Sequence, residues 1–131
     1  MTEPQKSISA RVISNLGIEL LVQHEVYGHF HAQPMKKHGL VVCGDIVTCE
    51  PPASAPREYA SADHPHPGTL RVLNVEPRTG LLQRTDRRGN AKPIAANLTR
   101  LIAVTAPKPP FDPLLIDRYT IAARHIGVNL T

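Results

Sequence analysis

A chain of 131 residues is long enough for one domain with an ordinary hydrophobic core. Apolar residues make up 41% of it and charged residues 20%, proportions of a folded globular chain rather than a disordered one. No run approaches the roughly 20 apolar residues of a membrane-crossing helix, and the net charge of +4 is modest. Met1 to Lys6 lacks the apolar stretch of a secretion signal, so the expected compartment is the cytoplasm. Cys43 and Cys49 have neither the spacing of a metal knuckle nor that of a disulfide framework, and read as a reduced, buried pair.

Ser7 to Leu16 alternates as a strand, with Ile8, Ala10 and Val12 on one face and Ser9, Arg11 and Ile13 on the other. Asn15-Leu16-Gly17 turns the chain into a second strand, Ile18 to Gln23. A third runs from Tyr27 to Gln33 with Tyr27, His29 and His31 on one side, and Pro34 ends it because it has no N–H to donate. After a basic connector, Met35 to Gly39, the run Leu40 to Cys49 is expected to enter a fourth strand through Gly44-Asp45. Thr69 to Glu76 is the fifth, with Leu70, Val72 and Asn74 set against Arg71, Leu73 and Val75. Residues 51–68 between them carry prolines at 51, 52, 56, 65 and 67 and four alanines, the composition of a mobile loop. Five short strands and few aromatics predict a mostly β protein built on an OB-fold-like Greek-key barrel over residues 1–83, a fold that binds oligonucleotides.

From residue 98 the pattern changes. Arg100 to Ala106 reads as an apolar strand of a parallel sheet, and Pro107 to Phe111 as a turn. Asp112 and Pro113 then open a helix that Gly127 closes, its apolar stripe formed by Leu115, Ile116, Tyr119, Ala122, Ala123 and Ile126. This is one strand and one helix of an incomplete α/β domain. The returning parallel strand would begin at Val128, and the sequence is expected to be truncated before it can form.

Between the two parts, residues 84–97 form a basic hinge. Residues 71–100 hold Arg71, Arg78, Arg84, Arg87, Arg88, Lys92 and Arg100 against Glu76 and Asp86, so the positive charge is concentrated there. Localised positive charge is the footprint of a polyanionic partner, above all nucleic acid. Arg84, Arg87, Arg88 and Lys92, with Arg78 and Arg71, are the candidate RNA-contacting residues; phosphate contacts of this kind position a protein without reading sequence. His29-x-His31 and His64-x-His66 lack the further ligands a zinc site needs, while Tyr27, His29 and Phe30 are candidates for stacking on bases. Phosphate-binding and dinucleotide-binding glycine loops and a nucleophile elbow are absent from the sequence, and no catalytic residues are assigned.

Arg84, Arg88-Gly89-Asn90 and Lys92-Pro93-Ile94-Ala95-Ala96-Asn97, followed by an apolar strand, resemble the ribosome small-subunit-dependent GTPases of the RsgA/YjeQ family. Arg11-Val12-Ile13-Ser14 with Gly17, Gly44-Asp45-Ile46-Val47, and Ile116-Asp117-Arg118-Tyr119 with Ala122 and Ala123 are similar to further family segments. The resemblance implies an rRNA-binding OB barrel, then the first strand and helix of a circularly permuted GTP hydrolase domain (98–131). It implies GTP and zinc as cofactors of the full-length family, with none bound by this chain, and a role late in small-subunit maturation. Small-subunit ribosomal RNA is the implied partner, with no membrane and no small-molecule substrate. The alternative is a free-standing OB-fold nucleic-acid-binding protein.

Overall fold

The computed structural model describes residues 6–108, 110 and 112–131, which fall into two compact units divided after Pro77. In the first, β1 (Ile8–Asn15) buries Ile8, Ala10 and Val12 and exposes Ser9, Arg11 and Ile13, as its alternation requires. It pairs antiparallel with β2 (Leu20–His24), with an irregularity in register between Val12 and Ser14, and β2 pairs antiparallel with β3 (Gly28–Gln33). Pro34 follows the last residue of β3, and a 3-10 turn over Lys36–His38 comes next.

The fourth strand begins where Gly44-Asp45 is expected to turn the chain into it: β4 is Ile46–Cys49. Val41 and Val42 are buried outside it, and the fully buried Asp45 accounts for the turn. Its Oδ2 accepts a hydrogen bond from the Val42 N–H at 2.8 Å, folding the chain back on itself. The Val12 N–H donates to the Asp45 carbonyl and the Gly44 N–H to the Val12 carbonyl, so this turn is tied to β1 before β4 begins.

The fifth strand, β5 (His66–Val75), starts earlier than Thr69 and takes in His66, Pro67 and Gly68 from the proline-rich segment. It pairs antiparallel with β4 and parallel with β3, closing a barrel in the order β1-β2-β3-β5-β4. The expected phase of its last residues is wrong. Cys49 faces Val72 and Thr48 faces Asn74, so Leu73 is an extra residue in the ladder. Such a bulge reverses which side chains point inward: Val75 packs against the core while Leu73 and Asn74 are exposed. The core inside the barrel is formed by Ile8, Ala10, Val12, Leu20, Val22, Phe30, Ala32, Val41, Val47, Cys49 and Val72. Burying each of the larger side chains stabilises the fold by about 1.5–3 kcal/mol.

The second unit begins at Arg78, ahead of the boundary expected at 83. The expected hinge is itself ordered: β6 (Leu82–Thr85) and β7 (Ala91–Ala95) form an antiparallel hairpin. Asn97, at φ 56°, braces its base, donating its backbone N–H to the Thr79 carbonyl and accepting the Thr79 N–H on Oδ1. The buried Ala96 and this left-handed Asn97 give the Ala-Ala-Asn segment a structural reason.

The apolar run after the hairpin forms only a short strand, β8 (Arg100–Leu101); Ile102 and Val104 are exposed. The turn expected over 107–111 lies partly outside the described residues. The helix has the expected bounds: α1 (Pro113–Ile126) starts with Asp112 Oδ1 accepting the Leu114 N–H and ends at Gly127 in the left-handed conformation. Of its expected stripe, Ala123 is buried and Ile116, Tyr119, Ala122 and Ile126 are half-buried, whereas Leu115 is exposed. The expectation that no parallel strand returns is overturned. In β9 (Asn129–Leu130), Asn129 faces Arg100 and Leu130 faces Leu101 in parallel register. The Ala103 and Thr131 N–H groups extend that ladder by donating to the Thr131 and Leu101 carbonyls.

Candidate nucleic-acid interface

Two surfaces carry nucleic-acid chemistry, one in each unit. In the second unit, five residues connect β6 to β7, and Asp86 organises them. Its carboxylate Oδ1 accepts from the backbone N–H groups of Arg88 and Asn90, both at 2.9 Å. Its backbone N–H donates to the Asn90 carbonyl and its carbonyl accepts from Gly89. Arg87 and Arg88 are thereby held exposed at the tip of the hairpin. Behind the tip, Arg84 and Lys92 are direct cross-strand neighbours. Like charges in that register repel one another. Lys92 has partial relief from Asp86, its Nζ 3.8 Å from Oδ2. Arg84, Arg87 and Arg88 make no ion pair among the described residues.

Four of the six predicted RNA-contacting residues, Arg84, Arg87, Arg88 and Lys92, are therefore brought together on one hairpin. Arg78 is half-buried in the same unit and has a partner of its own. Arg71 belongs to the barrel, on β5, where it makes an exposed pair with Glu50 at 3.7 Å.

In the barrel, the outer face of β2 and β3 presents the cross-strand pairs Gln23 with His29 and Leu21 with His31. This is the face, together with the β1–β2 and β4–β5 loops, on which OB folds bind oligonucleotides. The proline-rich β4–β5 loop lies on it. Ala60 forms a one-residue parallel bridge to Gly28, donating its N–H to the Tyr27 carbonyl and accepting the His29 N–H at 2.9 Å. Gly28 makes this approach possible: at φ +83°, any Cβ there would meet the Ala60 backbone. His29 Nδ1 is also 2.9 Å from the Ala60 carbonyl. Tyr59 follows the loop onto the strands: Gln23 Nε2 donates to its hydroxyl at 2.7 Å, and its ring stands perpendicular to that of His29.

These contacts correct the stacking residues expected from sequence. Phe30 is in the core, 2% exposed, and His29 is covered by the loop, so neither can receive a base. Tyr27 packs against the core and stacks on His24, whose Nδ1 accepts the Val26 and Tyr27 N–H groups. The exposed aromatic ring on this face is Tyr59, which sequence reasoning passed over; its signal was a lone aromatic in a segment of proline, alanine and polar residues. His66 Nε2 is engaged by the Tyr27 carbonyl at 2.6 Å. Among the described residues, no three His, Cys, Asp or Glu side chains gather as a metal site, and no helix is long and apolar enough to cross a membrane.

No protein-family model matches the sequence. It is 37% identical over 91 residues to the small ribosomal subunit biogenesis GTPase RsgA of Alcanivorax borkumensis, an alignment covering 70% of this chain and 22% of that protein. It is 52% identical over 53 residues to RsgA of Pseudomonas aeruginosa, covering 40% of this chain and 16% of the relative. The chain thus spans a minor part of the length of these curated relatives. Among solved structures, YjeQ from Thermotoga maritima superposes with a TM-score of 0.61 at 18% identity, covering 95% of this chain and 39% of that one. YloQ, a circularly permuted GTPase, gives 0.59 at 16% identity, covering 99% of this chain and 41% of its own. At these identities the two structures speak for the fold alone, and they match both the closed barrel and the segment after it. By sequence the chain is similar to part of the RsgA proteins over most of its own length, and by fold it is similar to YjeQ and YloQ.

Proposed function

We propose that this chain is the ribosomal-RNA-binding N-terminal module of a GTPase that acts late in maturation of the small ribosomal subunit in the cytoplasm. The relatives' name supports the ribosomal setting, and the β6–β7 hairpin supports the RNA contact. The observation that carries the reading is the cross-strand pair Arg84 and Lys92 below Arg87 and Arg88. Opposed cations cost stability in the free protein, and a phosphate backbone removes that cost by lying between them. The guanidinium groups can hold phosphate oxygens in pairs. Arg71 and Arg78 contribute to the same positive field.

Residues 98–131 are then the opening strand–helix–strand of the permuted GTP hydrolase domain. GTP and zinc are cofactors of the longer protein, bound outside this chain. The test is binding of small-subunit ribosomal RNA, measured by fluorescence anisotropy across a salt series. Changing Arg84, Arg87 and Arg88 together to Ala is expected to weaken binding at least tenfold and flatten the dependence of log K on log salt by about 2 to 3. An unchanged slope would show that the hairpin does not hold the RNA.

A further inference from the structure

The loop that crosses the β2–β3 face does more than cover it. A tyrosine serving only to staple a loop buries its ring, yet Tyr59 remains 53% exposed while its surroundings are fixed. Its hydroxyl is held by Gln23, its ring stands 88° to the His29 ring, and its neighbour Ala60 is bonded on both sides of its backbone to Tyr27 and His29. The ring is thus held in place before any ligand arrives, which lowers the ordering cost of binding. Beside it lies a shallow, open cleft lined in part by Arg57, Glu58, Ser61, His64 and His66. Arg57 gives that surface a cation and Glu58 an anion.

We propose that Tyr59 is a stacking platform for one unpaired base of a single-stranded RNA, with the adjoining cleft taking the sugar-phosphate and Arg57 its charge. The proposal rests on the RNA-binding reading above but assigns a different contact, with a different physical signature. Stacking on an aromatic ring needs a base free of its own stack and tolerates any sequence. Losing the ring should weaken binding without releasing fewer counterions. The hairpin arginines behave in the opposite way.

The experiment is anisotropy of the 131-residue chain with a fluorescein-labelled single-stranded oligoribonucleotide of mixed sequence, and with the same sequence annealed to its complement. Tyr59→Ala is expected to weaken single-strand binding about tenfold, to leave the salt slope unchanged and to leave duplex binding unchanged. Tyr59→Phe keeps the ring and should bind within about twofold of the parent. Gln23→Ala, which keeps the ring and removes the same hydrogen bond as Tyr59→Phe, should bind like Tyr59→Phe. Equal losses in Tyr59→Ala and Tyr59→Phe would reduce the residue to a hydroxyl anchor and sink the platform. So would a parent-like Tyr59→Ala. If the parent binds RNA, the arginine variant loses slope and Tyr59→Ala is silent, the platform fails while the hairpin reading stands. If the parent binds no RNA, both fail.

Discussion

Replacing Gly28 with alanine is expected to lift the proline-rich loop off the barrel. Gly28 lies at φ +83°, and an added Cβ would sit 2.6 Å from the Ala60 nitrogen, with the Ala60 carbonyl also too close. Backbone on both sides leaves no flexible side chain to swing away, so the bridge must open. The left-handed conformation alone costs an L-residue about 1–2 kcal/mol. Opening the bridge removes the bonds from Ala60 N to the Tyr27 carbonyl and from His29 N to the Ala60 carbonyl, each worth about 1 kcal/mol net. The total is about 3 kcal/mol, which for a domain of this size lowers Tm by on the order of 15 °C. Gly17→Ala is the matched control. It has a positive φ of 98° but nothing within 4 Å of the added atom, so it should lose only the conformational part, about 1–2 kcal/mol. Thermal unfolding gives the two losses, and hydrogen exchange of the Ala60 and His29 amides locates the change. Equal destabilisation of the two variants, with Ala60 still protected in Gly28→Ala, would refute the reasoning that close approach to Ala60 requires glycine.

Three further outcomes follow from buried or capping groups. Burial raises the Cys49 thiol from 9.0 to about 11. The neutral thiol is therefore favoured in the folded state, and its contribution is fully present below pH 9.0 and lost as pH rises from there through about 11. The fall in Tm over that window should be smaller in Cys49→Ala than in the parent, and a thiol reagent at pH 8 should label the exposed Cys43 and spare Cys49. Asp45→Ala removes the acceptor of the Val42 N–H in a fully buried setting and should cost about 2–3 kcal/mol in urea unfolding; a loss below about 0.5 kcal/mol would remove Asp45 as the organiser of that turn. Asp112→Ala strips α1 of its N-cap and should cost about 1 kcal/mol. The loss should show as faster amide exchange in the first turn of α1, with the barrel amides unaffected, because they lie in a separate compact unit.

Much of the barrel was legible because its signals are local. Alternation placed β1, Pro34 marked the end of β3, and Asp112, Pro113 and Gly127 set both ends of α1. What could not be read depends on partners distant in sequence. The bulge at Leu73 exists only in relation to Thr48 and Cys49, and nothing in residues 69–76 announces that the alternation changes phase there. Gly44-Asp45 announced the turn into β4, but not that the Asp45 carboxylate is buried and reaches back to the Val42 N–H. The expected start of the returning strand, Val128, is one residue before β9; what could not be read is that two residues suffice to pair with β8. At the candidate interface, charge clustering found the hairpin arginines, but the cross-strand meeting of Arg84 and Lys92 is a matter of register. Tyr59 was hidden by composition: a segment rich in proline and alanine reads as loop, and only the fold places its aromatic ring on a strand face.

The position of β5 has a consequence for how the barrel comes into being. It is the last of the five strands along the chain, yet it lies between β3 and β4 and pairs with both. Before residues 66–75 are available, those two strands are open edges with unpaired N–H and C=O groups. Closing them requires β3 to find a parallel partner more than thirty residues away, with the proline-rich segment as part of the intervening tether. Non-local pairing of this kind is slow, and the entropy of loop closure is lost before the contacts form. The bridge between Gly28 and Ala60 offers a nearer first contact: it draws the tether onto β3 six residues ahead of His66, shortening the search that β5 must complete.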